Sequence, residues 1–243
     1  MTTALIPGAG RGSRLGADKP KALVELDGRT FLSYVLAAVT PVIDTLVLVV
    51  GPGTQQTFED EARRTGWTGP LRVVVQKHPS GSADAVGVGL DVVPTGEPCV
   101  VVWGDQVGVS LRTVTGVVEA LHRTSSGLVL PLADVPTPYV WYSVDGDLVT
   151  VGRSRDGDAT PLRGKSDVGT FGFRADQVRP SLDAIRFNEM DQPRECDFVY
   201  VVPPVARLHG LHVVHVDDPA ETLAVNDRDD LERARHHFVT SGR

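Results

Sequence analysis

The chain has 243 residues and a formal net charge of −7, with 41% apolar residues, 23% charged residues and 25 glycines. This composition is typical of a soluble globular protein, and no apolar run approaches the roughly 18 residues of a membrane span. The net acidity disfavours binding to a long nucleic acid, which needs a basic face. We therefore expect neither a membrane nor a nucleic acid as partner.

The chain begins with an apolar segment, Ala4 to Ile6, that runs directly into a glycine-rich turn. No basic stretch precedes this segment, so we interpret it as a first strand and not as a secretion signal, which makes the cytoplasm the expected location. Cys99 and Cys196 show no metal-ligand spacing, and both are expected to be buried thiols.

Five short runs rich in β-branched residues predict buried parallel strands: Ala4 to Ile6, Thr45 to Val50, Leu71 to Val75, Cys99 to Trp103 and Leu128 to Leu132. The stretches between them have apolar residues at helical spacing, several after Ser or Thr caps: Phe31 to Val39, Thr54 to Thr65, Ser82 to Val93 and Ser110 to Arg123. This alternation predicts βαβ units in a mainly parallel sheet flanked by helices. Ligands of such sheets bind beyond the carboxyl ends of the strands.

From about Pro136 the pattern changes to extended pieces, which are Tyr139 to Val144 and Leu148 to Val151, joined by a hairpin-like Asp145-Gly146-Asp147. We interpret residues 136–175 as a β-rich insertion that covers the substrate. The remaining predicted elements are Val168 to Phe173, a helical piece from about Asp197 to Leu208, the strand Leu211 to Val216 and a last helix from about Asp227 to Val239. We predict a single α/β domain over residues 1–243.

The turn after the first strand is rich in glycine. Its residues include Gly8, Ala9, Gly10, Gly12 and Ser13. Glycines let backbone N–H groups approach an anion closely, which favours a phosphate-binding role. The Walker and dinucleotide patterns do not fit, because no lysine follows Gly12 and the second strand ends without an acidic residue. Arg14, Lys19 and Lys21 instead bring positive charge back to the turn, which suits a triphosphate.

The stretch from Gly10 to Leu15, followed by Pro20-Lys21, resembles the signature G-x-G-T/S-R-L/M and P-K of the sugar-1-phosphate nucleotidyltransferases, or NDP-sugar pyrophosphorylases. The resemblance implies a Rossmann-like domain of the GT-A-like type, a nucleoside triphosphate and a phosphorylated acceptor as substrates, and Mg²⁺ as cofactor. It also implies that the loop amides and Arg14 hold the β- and γ-phosphates, while Lys21 bridges the α-phosphate and the acceptor phosphate. A turn that merely reverses the chain is the alternative.

Two further segments resemble the same family. Gln76, Gly81 and Ser82 match its base-reading segment, and the resemblance implies that Gln76 and the backbone at Gly81 and Ser82 face the base. An amide side chain can both donate and accept, which suits a base edge. A loop followed by a Ser82 helix cap is the alternative. Because the Gly-Ser-Ala-Asp-Ala form is also close to that of adenylyl-transferring members, the base stays open.

The metal ligands implied by the resemblance come from two places. Gly104-Asp105 ends the fourth predicted strand and matches the strand-Gly-Asp motif, which implies nucleotide contact at Gly104 and Mg²⁺ binding at Asp105. The segment from Val225 resembles V-N-N/T/D and implies Asn226 as partner ligand. For Asp227, a helix cap is preferred over metal binding.

The matches are closest to the uridylyltransferase domain that acts on N-acetylglucosamine 1-phosphate, without the hexapeptide-repeat acyltransferase domain of the bifunctional enzyme. The sugar-reading part departs from that pattern. A glutamate that holds sugar hydroxyls falls near Ser154, and the residues left for the acceptor are Tyr139, Gly169 and Thr170. Loss of hydroxyl-binding groups changes which acceptor fits.

Four cations near these residues are candidates for the acceptor phosphate, but we expect them to be solvated surface residues: Arg153, Arg155, Arg163 and Lys165. UTP is the favoured triphosphate and a sugar 1-phosphate the favoured acceptor. A cytidylyl- or guanylyltransferase acting on a polyol, cyclitol or phosphonate remains open. A GT-A glycosyltransferase fits less well, since Asp105 is not part of an Asp-x-Asp motif. A catalytically silent homologue also fits less well, because Arg14, Lys21, Asp105 and Asn226 are all present. The oligomeric state stays open.

Overall fold

The computed structural model describes residues 1–78, 80–189 and 197–241. Its strands are β1 (Thr3–Pro7), β2 (Glu25–Leu26), β3 (Arg29–Thr30), β4 (Thr45–Val50), β5 (Leu71–Val75), β6 (Pro98–Val102), β7 (Leu128–Pro136), β8 (Val140–Asp145), β9 (Leu148–Arg153), β10 (Arg163–Asp167), β11 (Thr170–Arg174) and β12 (Leu211–Val216). Its α-helices are α1 (Phe31–Val39), α2 (Gln55–Arg64), α3 (Ser82–Leu90), α4 (Leu111–Arg123), α5 (Ala175–Glu189), α6 (Val202–His209) and α7 (Arg228–Ser241).

Ten of the described strands form one mixed sheet in the order β5-β4-β1-β6-β11-β7-β10-β8-β9, with β12 beside β7. Strands β5, β4, β1 and β6 are parallel, so Leu5 of β1 is level with Val47 of β4 and Val101 of β6. Strand β11 is antiparallel to both β6 and β7. The predicted fold class, a sheet with mostly parallel central strands flanked by helices, is confirmed. Because β1 and β6 are parallel neighbours in the middle of the sheet, their carboxyl ends lie side by side.

The 136–175 segment is β-rich, as predicted. Strands β8 and β9 form a hairpin, and Gly146 at its turn has a φ of 57°, in the left-handed region that glycine tolerates best. Strand β10 pairs with β7 along its length and with β8 at Lys165. Strands β8, β9 and β10 therefore extend the main sheet at one side, whereas β11 lies between β6 and β7.

Apolar side chains cover both faces of the sheet. Leu5 packs in a cluster with residues of α3, α5 and α6, while its neighbours Ala4 and Ile6 pack on the opposite face with α1, α2 and α4. This alternation follows from the two-residue repeat of a strand. Each fully buried large apolar side chain contributes roughly 1.5–3 kcal/mol, so these clusters fix the strands that lead into the site. Within the described residues, no helix is long and apolar enough to cross a membrane.

Most predicted elements are confirmed, and the differences have local causes. Strand β10 was not predicted because Arg163–Asp167 contains no apolar residue. Helix α5 was not predicted, and Pro180 lies inside it. The helical piece after Asp197 is confirmed, because Pro203-Pro204 occupies the first turn of α6, where proline is tolerated. Cys99 is buried, and burial raises the pKa of its thiol. Cys196 lies outside the described residues.

Candidate active site

The glycine-rich turn forms a loop, residues 8–12, beyond the carboxyl end of β1. The Gly8 N–H donates to the carbonyl of Val49 at 2.7 Å, which ties the start of the loop to β4. The Lys21 N–H donates to the carbonyl of Gly10 at 2.9 Å, so the chain folds back beneath the loop. The loop and Lys21 are therefore held next to each other by backbone hydrogen bonds.

The glycines of this loop have different surroundings. A Cβ at Gly8 would lie 2.6 Å from the ring of Phe58, and a Cβ at Gly12 would lie 2.8 Å from the carbonyl oxygen of Lys19. A Cβ at Gly10 would meet nothing within 4 Å. Gly8 and Gly12 thus allow close packing, whereas Gly10 faces open space in which an anion has room to approach the backbone.

Lys21, Asp105 and Asn226 meet at one point beside this loop. The ammonium of Lys21 donates to Asp105 Oδ2 in a close ion pair and to Asn226 Oδ1 at 2.8 Å. The side chains of Lys21 and Asp105 are 17% and 20% exposed, so the pair is partly shielded from water and still open to a ligand. Three residues that are far apart in the sequence, and that the resemblance assigns to one site, are therefore brought together.

Backbone contacts explain how these residues meet. The Gly104 N–H donates to the carbonyl of Pro7 at 3.1 Å, which holds the chain after β6 against the end of β1. The carbonyl of Asp105 accepts the N–H of Val225 at 3.1 Å, so Asn226 follows directly beside Asp105. The position of the Asp105 and Asn226 side chains is thus set by main-chain hydrogen bonds.

The segment before Asn226 is anchored further along. The Glu221 carboxylate is 5% exposed and accepts both the N–H and the hydroxyl of Ser110, each at 2.9 Å. Gln106 donates its side-chain amide to the Glu221 carbonyl at 2.7 Å. Asp227 accepts the N–H of Asp230 at 2.9 Å, which is the helix-cap role preferred for it.

The Asp105 and Asn226 oxygens fit a magnesium ion. Mg²⁺ prefers hard oxygen ligands and usually takes one or two from protein, while phosphates and water supply the rest. The Lys21 ammonium between these two oxygens shows that the point attracts a cation. Among the described residues, no group of three or more His, Cys, Asp or Glu side chains is arranged to hold a metal ion.

Arg14 follows the loop in sequence, in a 3₁₀ turn that spans Ser13–Leu15. Its side chain is exposed, and within the part of the chain that the structure describes it makes no hydrogen bond or ion pair. Ser13 is exposed beside it, and Ala9 is half-buried. The Arg14 guanidinium is therefore available to a bound phosphate.

The predicted base-reading residues lie together between β5 and α3. Gln76 is 4% exposed and donates its side-chain amide to the Gly81 carbonyl at 3.2 Å and to Asp84 at 2.8 Å. Its side-chain N–H groups are thus engaged within the protein. The alternative of a Ser82 cap is wrong, because Gly81, with a φ of 111°, occupies the cap position of α3.

The residues predicted to bind the acceptor differ in accessibility. Tyr139 precedes β8 and is 55% exposed. Gly169 has a φ of 65° and packs against Gln106, with its carbonyl accepting the N–H of Trp103 at 3.0 Å. Thr170 is fully buried. Of these three residues, only Tyr139 presents a side chain at the surface.

Arg153 is not the solvated surface cation that we expected. It is 5% exposed, forms a close ion pair with Asp197, and its Nε lies 3.1 Å from Asp156. Arg163 and Lys165 are exposed, as expected. A sequence signal for Arg153 does exist, since the alternation of Val149, Val151 and Arg153 along β9 places all three on one face.

Sequence reasoning also missed residues that hold the site from outside. Glu221 and Gln106 fix the chain around Asp105, and Asp197 connects Ser82 with Arg153. These residues are single polar side chains in loops or next to short helices. No motif or spacing marks them, so only the folded chain brings their partners together.

Residues 4–154 match the MobA-like NTP transferase domain. The chain is similar to the bifunctional protein GlmU of Rubrobacter xylanophilus, with 28% identity over 234 residues, which is 95% of this chain and 49% of that protein. It is similar to GlmU of Mycobacterium ulcerans, with 28% identity over 237 residues, covering 93% of this chain and 48% of that protein. The chain thus spans about half the length of these relatives.

The fold is similar to the crystal structure of 4-diphosphocytidyl-2C-methyl-D-erythritol synthase from Anaerococcus prevotii. The TM-score is 0.68 at 17% sequence identity, and the match covers 98% of each chain. At this identity the likeness concerns the fold. It agrees with the layered sheet described above.

Proposed function

The chain belongs to the MobA-like NTP transferase domain family, and from this premise we propose that it joins UTP to a sugar 1-phosphate or a similar phosphorylated small molecule. The product would be a nucleoside-diphosphate derivative, and pyrophosphate would be released. Family membership makes the chain a nucleotidyltransferase of the general kind. The base, the acceptor, the Mg²⁺ requirement and the residue roles are our proposals.

The observation that carries the proposal is the meeting of Lys21, Asp105 and Asn226 beside the loop of residues 8–12. This arrangement provides an ammonium, a carboxylate and an amide oxygen next to backbone with room for an anion at Gly10. Transfer between phosphates needs positioning and charge neutralisation more than covalent chemistry by the protein. The site offers both.

The chain's own residues would act as follows. The loop amides and the Arg14 guanidinium would hold the β- and γ-phosphates of the triphosphate. Lys21 would hold the α-phosphate and the acceptor phosphate together, so that an acceptor oxygen attacks the α-phosphorus in line and pyrophosphate leaves from the opposite side. Asp105 and Asn226 would hold Mg²⁺, which, when bound, neutralises phosphate charge.

Gln76, Gly81 and Ser82 would contact the base, and Gly104 would line the nucleotide site. We favour UTP because the resemblance is closest to uridylyltransferases, and the relatives in the comparison are GlmU proteins. Tyr139 and the backbone near Gly169 would contact the acceptor.

A specific observation also supports a second acceptor class. Ser154 lies near the position at which the sugar-1-phosphate nucleotidyltransferases carry a sugar-binding glutamate. Its hydroxyl donates to the carbonyl of Tyr139 at 3.4 Å. The adjacent Arg153 is buried and forms ion pairs. No carboxylate is therefore offered there by residues 153 and 154. This favours testing cytidylyl or guanylyl transfer to a polyol, cyclitol or phosphonate as well.

The test is pyrophosphate release with Mg²⁺ for UTP, dTTP, ATP, CTP and GTP, each paired with sugar, cyclitol and polyol phosphates. Asp105→Asn is expected to lower turnover at least about 100-fold, because charge that stabilises a transition state is lost. Its fold should persist, since the Asp105 contacts to Val225 are made by the backbone.

Asp91→Asn is the matched control, because the exposed Asp91 carboxylate directly follows α3 and pairs with Arg179 of α5. This variant should retain wild-type turnover. Undiminished turnover in Asp105→Asn would contradict the metal assignment. No pyrophosphate from any pair of substrates would contradict the proposed reaction.

A further inference from the structure

The Asp197 carboxylate lies between the predicted base-reading segment and the acceptor-covering insertion. Its Oδ1 accepts the hydroxyl of Ser82 at 2.7 Å, and its Oδ2 accepts the guanidinium of Arg153 in a close ion pair. Arg155 also approaches Oδ2, at 4.0 Å. The Asp197 side chain is 19% exposed. One largely buried carboxylate therefore contacts two segments that are distant in sequence.

On the first side, Ser82 fixes the base-reading segment. Its hydroxyl oxygen also accepts the N–H of Phe198 at 2.9 Å, so the hydroxyl both donates and accepts. Ser82 directly follows Gly81, whose carbonyl accepts the amide of Gln76 at 3.2 Å. A displacement of Asp197 would therefore be passed from Ser82 to Gly81 and Gln76, the other two residues that we assign to the base.

On the second side, Arg153 fixes the insertion. It ends β9 and is level with Val140 of β8, which directly follows Tyr139. Burial alone would lower the pKa of the Arg153 guanidinium, but the bonds to Asp197 and Asp156 outweigh it and raise the pKa. Arg153 therefore stays charged, and its position is coupled to that of the Asp197 carboxylate.

We propose that Asp197 is a positioning residue that couples nucleoside triphosphate affinity to the conformation of the acceptor-covering insertion. This inference rests on the proposed function, which assigns the two segments to base and acceptor. Removal of Arg153 leaves the Asp197 charge largely buried and without its closest cation, which favours a shift of the carboxylate toward water. Because Asp197 also holds Ser82, that shift reaches the base-reading segment. Coupling of this kind is reciprocal, so a triphosphate also orders the insertion.

The test is a double-mutant cycle of Ser82→Ala and Arg153→Gln, read out as triphosphate Kd. Calorimetry is done with UTP, CTP, ATP and GTP, each with Mg²⁺ and without acceptor. Arg153→Gln is expected to weaken binding of the preferred triphosphate about 5-fold, in the range of ordinary coupling between sites. The Kd of the double variant for the triphosphate should not exceed the higher Kd of the two single variants, because both substitutions break the same connection through Asp197.

Glu119→Gln is the matched control, since it removes an exposed ion pair with Arg123 on α4 and should leave Kd unchanged. Hydrogen exchange gives a readout that needs no ligand. In Asp197→Asn, amide exchange is expected to accelerate in residues 80–90 and in residues 139–154 together, while β1 and β4 keep their protection.

The outcomes separate this inference from the proposed function. Additive effects of the two substitutions on Kd, no effect of Arg153→Gln, or faster exchange in only one of the two segments would overturn the coupling while leaving nucleotide transfer intact. Failure of the wild-type chain to bind any of the four triphosphates would overturn both. Non-additive Kd effects with exchange changes in both segments would support the coupling.

Discussion

Replacement of Lys21 by methionine is expected to strengthen metal binding while it strongly lowers turnover. The Lys21 ammonium lies between Asp105 and Asn226, the two residues proposed as Mg²⁺ ligands, and is 2.8 Å from Asn226 Oδ1. An ammonium and a divalent cation cannot occupy this point together. In the nucleotide-free protein a metal ion must therefore first displace Lys21. Lys21→Met removes the competing charge and keeps an unbranched apolar side chain.

The size of the effect follows from the exposure of the pair. Two unit charges in contact attract by roughly 4 kcal/mol at an effective dielectric constant of about 20. Desolvation and the ordering of the lysine side chain offset most of this attraction, because Lys21 and Asp105 are only 17% and 20% exposed. A net competition of about 1.4 kcal/mol remains, which corresponds to a roughly tenfold lower Kd for the metal.

The assay is titration of the nucleotide-free protein with Mn²⁺. The concentration of the free ion is measured by electron paramagnetic resonance at each step. Lys19→Met is the matched control, since Lys19 lies two positions away and pairs with Glu25 at 3.2 Å on an exposed surface. It should leave the Mn²⁺ Kd unchanged. A Kd in Lys21→Met that equals or exceeds that of the wild-type chain would refute the reasoning. Turnover of Lys21→Met should fall at least about 100-fold, because the charge that we propose to bridge the two phosphates is lost.

Two further predictions concern stability. Gly8→Ala places a Cβ 2.6 Å from the ring of Phe58 and should lower the free energy of unfolding in urea by about 1–3 kcal/mol. A Cβ at Gly10 meets nothing within 4 Å, so Gly10→Ala should keep the wild-type free energy of unfolding but raise the KM for the triphosphate. Equal free energies of unfolding for the two variants would contradict this difference in packing. Burial alone would raise the pKa of Glu61, but the hydrogen bonds from Arg64 and Thr30 outweigh it and lower the pKa below its ordinary value of 4.5. The contribution of Glu61 is therefore present at neutral pH and lost as the pH falls through the lowered pKa, so Glu61→Gln should cost about 1 kcal/mol in urea unfolding at neutral pH and less in acid. A loss of unfolding free energy in Glu61→Gln that does not change with pH would contradict a stabilising ion pair between Glu61 and Arg64.

The sequence predicts the parallel half of the fold well because that half follows from local patterns. The runs Thr45–Val50 and Leu71–Val75 are rich in apolar, β-branched residues, which predicts strands, and their bounds agree with β4 and β5. The later half depends on pairing partners. Strand β10 is polar and becomes a strand because β7 and β8 flank it, a cause that its own residues do not reveal.

The candidate site divides in the same way. Motifs mark Lys21, Asp105 and Asn226, and the structure brings these three together. Their supports carry no motif, since Glu221 is recognisable only from its contacts with Ser110. Single polar residues in loops have many uses, and the one that applies is decided by the tertiary fold.

The two sides of the site are also held differently, and this bears on which side can change between relatives. The backbone at Asp105 is held by a main-chain hydrogen bond from Val225, which does not depend on side-chain identity, although Glu221 and Gln106 add side-chain support nearby. The proposed acceptor side is held by the ion pair of the Arg153 and Asp197 side chains. Substitution of these two is expected to reshape the proposed acceptor side while the main-chain contact at Asp105 persists. This is why the sequence allows the reaction class to be inferred from motifs, whereas the acceptor has to be found by experiment.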